Sequence, residues 1–126
     1  MKILTKSIHK SKNKEDGVRI CVMRHIRPEY DFDIWIPNLA PSEKLLDDYI
    51  VKKTIVWIEF KKIYKENILI RNYDLLKLLV LLANHTTITL LCGEDSVRFC
   101  HRKLIIEECK KAVIKAVLPV ESIEAK

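Results

Sequence analysis

Residues 87–92, TITLLC, run directly into residues 93–102, GEDSVRFCHR, and this stretch decides the fold. The first six residues are β-branched and then apolar, the pattern of a strand buried on both faces. After Gly93-Glu94-Asp95-Ser96 the apolar residues change period. Ile105, Cys109, Ala112 and Ala116 fall on one helical stripe, joined by Ile106, Val113 and Val117, so a helix is expected from about 97 to 117. Lys103, Glu107 and Lys111 follow at i, i+4 on its outer side.

Working outward, residues 18–23 (VRICVM) alternate Val18, Ile20 and Val22 against Arg19 and Cys21, which predicts a second strand that delivers Arg24 to its carboxyl end. Residues 2–8 (KILTKSI) alternate in the same way. Between them the polar run 9–17 closes on Asp16-Gly17, a turn. Residues 25–40 carry two prolines, Trp35 and several acids and read as an ordered but irregular loop. Ser42 is a good N-cap for a helix whose face is Leu45, Leu46, Tyr49 and Ile50. Thr54 is the expected cap of a second helix, with Trp57, Phe60, Tyr64 and Ile68 as its core stripe. Asn72 is the expected cap of a third, with Leu75, Leu76, Leu78, Leu79 and Leu82 inside and Asn84 near its stop.

The predicted order is β-β-α-α-α-β-α. A helical excursion between residues 24 and 86 returns the chain to run parallel with strand 18–23. Arg24 and Cys92 then leave the sheet at the same edge, and in open α/β sheets that carboxyl edge is where ligands bind.

Composition sets the class. The chain has 126 residues, 48% of them hydrophobic and 32% charged, which fits one domain with one core and excludes a disordered chain. We read residues 1–126 as a single domain, with a lysine-rich strand and loop at 1–14 and a short tail at 119–126. Two glycines and four prolines are too few for an all-β fold with many tight turns. The longest apolar run, Leu78 to Ala83, is far too short to span a membrane. The first residues lack the apolar core of a signal peptide, so a cytoplasmic location without membrane partners is expected. The four cysteines, Cys21, Cys92, Cys100 and Cys109, then read as reduced thiols. The net charge is +6, and the lysines at 2, 6, 10, 12 and 14 face no acid within that segment. They can attract nucleic acid or protect an edge strand from pairing with other chains.

The chemistry concentrates at Cys92–Arg102. A thiol ends a buried strand, Glu94 follows two residues later, and Cys100-His101-Arg102 stands at the start of a helix. The first turn of a helix has free N–H groups and a partial positive charge, and Arg98, Arg102 and Lys103 add full charges. That is the physics of an anion site for phosphate or carboxylate, and it lowers the pKa of a nearby thiol. Each piece also has a plain structural role. Cys92 can be a small buried strand residue, Cys100 and His101 can pack and hydrogen-bond locally, and Arg102 can pair with Glu94. Cys92, Cys100 and His101 supply three ligands of metal-binding type, but no CxxC or HxxxH spacing supports a zinc site, and no metal is assigned.

These features together resemble the domain-of-unknown-function family 488, the YeaO-like family. The resemblance starts at Glu15-Asp16-Gly17-Val18-Arg19 and runs through Arg24, Trp35, Leu39-Ala40-Pro41-Ser42, Trp57-Ile-Glu-Phe60 and Tyr64. It closes on Leu90-Leu91-Cys92-Gly-Glu94 and Cys100-His101-Arg102, its most specific part. There is a departure. Met23-Arg24-His25-Ile26-Arg27-Pro28-Glu29 stands where the family often has Asp-Arg-Leu-Trp-Pro-Arg-Gly. The acid before Arg24 is absent, and Asp31, Asp33 and Glu94 are the candidates to replace it. The resemblance implies a small, Rossmann-like, three-layer α/β domain with a short, mainly parallel sheet flanked by helices. It places the site at Arg24, Cys92, Glu94, His101 and Arg102, and it implies no reaction.

Three functions follow as expectations. The first is an enzyme acting on a nucleotide, a nucleic-acid component or another phosphorylated small molecule. Arg24, Cys100 and Arg102 would bind the ligand, and Cys92, Glu94 and His101 would do the chemistry. No cofactor is called for. The second is a non-catalytic nucleic-acid-binding or accessory module that uses the lysines. The third is a thiol redox or metal-binding protein. The sequence does not show the oligomeric state.

Overall fold

A computed structural model of the chain describes residues 2–93 and 100–115. Strand β4, Ile88–Cys92, is buried along its whole length and forms the spine of the sheet. It pairs in parallel with β1, Ile3–Ser7, on one side and with β2, Val18–Cys21, on the other. A two-residue strand β3, Ile34–Trp35, adds in parallel to β2, giving the order β1-β4-β2-β3. All pairings are parallel, so the carboxyl ends of the strands share one edge. In this register Cys92 lies opposite Ser7, and Leu91 lies between Lys6 and Cys21. The three longer strands match the expected segments. Strand β3 falls in the stretch read as irregular loop. It is held by Asp33 N–H to Arg19 carbonyl, 2.8 Å, and Ile36 N–H to Cys21 carbonyl, 2.9 Å. Two residues are too few to show a period.

Between β3 and β4 the chain makes three helices: α1, Glu43–Leu46, α2, Trp57–Tyr64, and α3, Tyr73–His85. Two wide turns, Asp47–Val51 and Lys65–Leu69, extend α1 and α2. Ser42 caps α1 as expected, its Oγ accepting from Leu45 N–H at 3.1 Å. The next two caps differ from expectation. Helix α2 begins after Val56, whose N–H donates to Glu59 at 3.1 Å, while Thr54 Oγ1 turns back to the Asp48 carbonyl. Asn72 stands before α3, but its amide donates to the Ile68 carbonyl at 2.8 Å and so closes the preceding turn. Helix α4 is described over His101–Lys115, and the expected portions at 97–99 and 116–117 lie outside the described residues. No helix among the described residues is long and apolar enough to cross a membrane.

The core lies between the sheet and the helices. Ile20, Val22, Ile88 and Leu90 meet Phe60, Tyr64, Leu76, Leu79, Val80, Leu104, Ile105 and Cys109. Residues alternate across a strand, so one sheet face is apolar and faces helices. Leu78 is an exception to the expected α3 stripe. It is 58% exposed, because Leu76, Leu79, Val80 and Ala83 already fill the inward arc.

Arg19 and Thr89 belong to the other face, where the crossover from β1 to β2 provides the cover. Thr89 Oγ1 donates to the Asp16 carbonyl at 2.7 Å. The Asp16 carboxylate accepts from Arg19 Nη1 at 2.7 Å, from Lys6 Nζ at 3.0 Å and from Asn13 N–H at 3.1 Å. Burial raises the pKa of this carboxyl, but the Asn13 N–H, Lys6 and Arg19 outweigh it and hold the pKa below the usual range. Lys6 is therefore part of the fold, while Lys10, Lys12 and Lys14 are exposed. Gly17 makes the crossover possible. Its φ is +64°, and a Cβ there would stand 2.0 Å from the Thr87 carbonyl oxygen.

Two stability measurements test this account. Gly17→Ala places a methyl inside backbone and should lower the unfolding free energy by about 3 kcal/mol or more in urea titrations. Asp16→Asn strands the buried Arg19 and the part-buried Lys6 and should lower it by about 3 kcal/mol near neutral pH. The parent's Asp16 carboxyl is depressed, so its contribution is present above the unfolded pKa and fades as pH falls through the folded one. The difference between parent and variant should shrink below about pH 4. A difference that stays constant into acid would contradict the assigned ion cluster.

Candidate functional site

The shared carboxyl edge gathers the residues singled out from the sequence. The ladder continues beyond β2, with Val22 N–H to the Leu91 carbonyl at 3.1 Å, and beyond β1, with Ile8 N–H to the Cys92 carbonyl at 2.8 Å. Cys92 is therefore fixed from the backbone. Cys100 immediately precedes α4, and His101 and Arg102 form the helix's first turn.

His101 reaches across the strand ends. Its Nε2–H donates to the Val22 carbonyl at 2.9 Å. A carbonyl only accepts, so Nε2 carries a proton and Nδ1 is the atom left for Cys100, 3.7 Å from its Sγ. The Tyr64 ring meets the imidazole edge-on at 5.7 Å. Tyr64 is itself held by donating its hydroxyl to the Leu39 carbonyl at 2.6 Å. Burial pushes the Tyr64 phenol well above its ordinary pKa, and the negative charge of the neighbouring thiols pushes it further. Tyr64 is a neutral wall behind the imidazole.

Arg102 is almost fully buried at 1% exposure. Its Nη1 donates to the Lys6 carbonyl at 2.6 Å, and its Nε donates to Cys100 Sγ at 3.3 Å. One side chain thus ties α4 to β1 and sets a cation against the sulfur. The Cys92 thiol adds a hydrogen bond to Cys100. The Cys92 bond, the hydrogen bond and charge of His101 and the Arg102 backbone N–H outweigh burial and bring the Cys100 pKa down to about 3. The other thiols contrast with it. Burial raises the Cys21 pKa, and burial followed by the Glu108 charge pushes Cys109 up to about 12.

Cys92, Cys100 and His101 also line a cavity of about 270 Å³. Its opposite wall is Leu46, Tyr49, Ile50 and Phe60, from α1, the wide turn after it and α2. Arg24 and His25 line it from the loop after β2. Arg24 is oriented by two carbonyls, Nε to Pro41 at 3.0 Å and Nη2 to Ala40 at 3.5 Å. Its Nη1 has no partner among the described residues. Arg102 does not line the cavity and acts on it through Cys100. Glu94 and Arg98 lie outside the described residues. Neither Asp31 nor Asp33 lines the cavity. Asp33 accepts the Arg19 N–H at 2.8 Å, and the Asp31 carbonyl accepts from Arg19 Nε at 3.0 Å.

The ligand atoms of Cys92, Cys100 and His101 lie within 4.8 Å of one another, close enough to be considered for a metal ion. Arg102 already gives Cys100 a cationic partner from within the protein. The Val22 and Lys6 carbonyls, which orient the two key side chains, were not legible in the sequence. Backbone groups carry no residue-type signal.

No curated protein and no solved structure matches the chain. One family model does, over residues 3–113, and its description is the active DUF488-N3 subclade. The match spans all four strands and most of α4, and it includes Cys92, Cys100, His101 and Arg102. The chain therefore belongs to the DUF488-N3a family, the active DUF488-N3 subclade.

Proposed function

We propose that the chain is an enzyme whose nucleophile is the Cys100 thiolate, acting on a small anionic substrate held in the cavity between the sheet edge and α1–α2. The observation that carries this reading is the convergence of Cys92, His101 and Arg102 on a single cavity-lining sulfur. A sulfur surrounded by donors is a thiolate at neutral pH, and the thiolate is the reactive form. The position before α4 adds the positive end of a helix dipole. The description of the subclade as active agrees with catalysis.

Each residue then has a role. The Cys100 sulfur gives its electron pair to an electrophilic carbon or phosphorus, and the bond to the leaving group breaks with its own pair. His101 Nδ1 holds the proton that Cys100 gave up and returns it to the leaving group. Water then attacks the same centre, gives a proton back to His101 Nδ1, and the S–C or S–P bond breaks to release the thiolate. Arg102 is a positioning residue, because it touches the sulfur and not the cavity. Cys92 supports the thiolate by hydrogen bonding. Arg24 Nη1 is the group to meet an anionic substituent, and the apolar wall of Tyr49 and Phe60 suits a flat body such as a nucleobase. A nucleotide or nucleic-acid-related substrate combines both features. A cytoplasmic setting, where thiols stay reduced, suits this use of cysteine.

Labelling tests the proposal. At neutral pH, limiting iodoacetamide should modify Cys100 at least about tenfold faster than Cys21, Cys92 or Cys109, read by peptide mass mapping. In a screen of nucleotides and phosphate monoesters, a compound that occupies the cavity should slow that labelling and raise the melting temperature. Arg24→Ala should weaken both effects. Labelling spread evenly over the four cysteines would count against the nucleophile. Protection that Arg24→Ala leaves intact would count against the anion contact.

A second reading rests on Lys10, Lys12 and Lys14, which are exposed and in no ion pair among the described residues. They can hold nucleic acid. Such binding should fall steeply with added salt and weaken when the three are replaced by alanine.

A further inference from the structure

We propose that Cys92 and Cys100 form an intramolecular dithiol that a hydroperoxide oxidises to a disulfide, with Cys100 as the attacking sulfur and Cys92 as the resolving one. The proposal rests on the reactive Cys100 described above and adds a second chemistry and a defined co-reactant.

The geometry separates these two thiols from the other two. The Cys92 and Cys100 sulfurs hydrogen-bond and lie within 4.8 Å of each other, and both line the cavity. Cys21 and Cys109 are fully buried and line no part of it. The pair is also asymmetric. Arg102 Nε and His101 Nδ1 both face Cys100, at 3.3 and 3.7 Å. A hydroperoxide reacts with the thiolate, so attack begins at Cys100. An apolar cavity of about 270 Å³ admits hydrogen peroxide or a small organic hydroperoxide.

The chemistry balances. The Cys100 sulfur takes the terminal hydroxyl of the hydroperoxide, the O–O bond breaks, and the alkoxide leaves with the electron pair and picks up a proton. Sulfur is oxidised by two electrons to the sulfenic acid, and the peroxide is reduced to an alcohol, or to water from hydrogen peroxide. The Cys92 sulfur then attacks the Cys100 sulfur. The S–O bond breaks, and the hydroxide combines with the Cys92 proton as water. Two thiols and one hydroperoxide give one disulfide, one alcohol and one water. A dithiol reductant restores the starting state by exchange.

The experiment uses the full, reduced chain with hydrogen peroxide as the oxidant and intact-mass and peptide mapping as readouts. One equivalent should remove two hydrogens and link Cys92 to Cys100 within one molecule, and dithiothreitol should reverse it. Cys92→Ser should instead leave a sulfenic acid on Cys100 that dimedone captures. Cys100→Ser should leave Cys92 unoxidised at the same dose. The proposal is overturned if peroxide-treated parent protein shows no Cys92–Cys100 link, or if the Cys92→Ser variant gives no dimedone adduct. Fast iodoacetamide labelling of Cys100 without that link would sink the dithiol and leave the nucleophile standing. Slow labelling with no adduct would sink both.

Discussion

A strand that runs parallel to both of its neighbours brings three carboxyl ends to one edge, and β4 is in that position. The rest of the molecule depends on it. Its central place buries all five of its residues, which is why four of them are apolar and Thr89, the fifth, has its hydroxyl bonded to the Asp16 carbonyl. Where it pairs with β1 the Lys6 carbonyl accepts from Arg102, and where it pairs with β2 the Val22 carbonyl accepts from His101. Helix α4 is thereby pinned at its first turn by two side chains reaching two different strands. Those same side chains face the Cys100 sulfur, so the fold and the candidate site share their anchors.

The site shows how one residue type takes opposite roles. Cys21 and Cys109 are thiols in apolar surroundings, where removing water disfavours the charged form. Cys100 is equally hidden from solvent, at 4% exposure, yet its neighbours are donors. Hydrogen bonds and a buried guanidinium replace the water it has lost. Arg102 is acceptable in the interior for the reciprocal reason, since a carbonyl and a sulfur of anionic character face it. Asp16, Arg19 and Lys6 repeat this pattern of buried charge on the other sheet face, where its result is structural.

The central elements were legible in the sequence because their signals are long or rare. TITLLC is a six-residue stretch that is β-branched and then apolar, the stripe of Phe60 and Tyr64 repeats at helical spacing, and Cys100-His101-Arg102 combines infrequent types. What escaped was short or backbone-made. Strand β3 has two residues, the starts of α2 and α3 do not use the side chains of Thr54 and Asn72, and Leu78 was surplus to a filled helix face. The arginines were expected at the carboxyl edge as anion ligands, but the main-chain carbonyls and the sulfur that orient them carry no sequence signal and meet only in the folded chain. The same holds for the missing acid before Arg24. Asp31 and Asp33 are near it in sequence, but the structure joins them to Arg19 at the far side of β2.

The most direct test of the account is the charge state of one sulfur. Thiolates absorb in the ultraviolet where thiols do not, so the difference between the parent and Cys100→Ser isolates Cys100 across a pH titration. The arrangement predicts a signal that holds constant from about pH 8 down to about pH 5, because the thiolate is lost only at about 3. A signal that fades as pH falls below the ordinary thiol value of 9.0 would mean that His101, Arg102 and Cys92 do not stabilise the anion, and the proposed nucleophile would go with it.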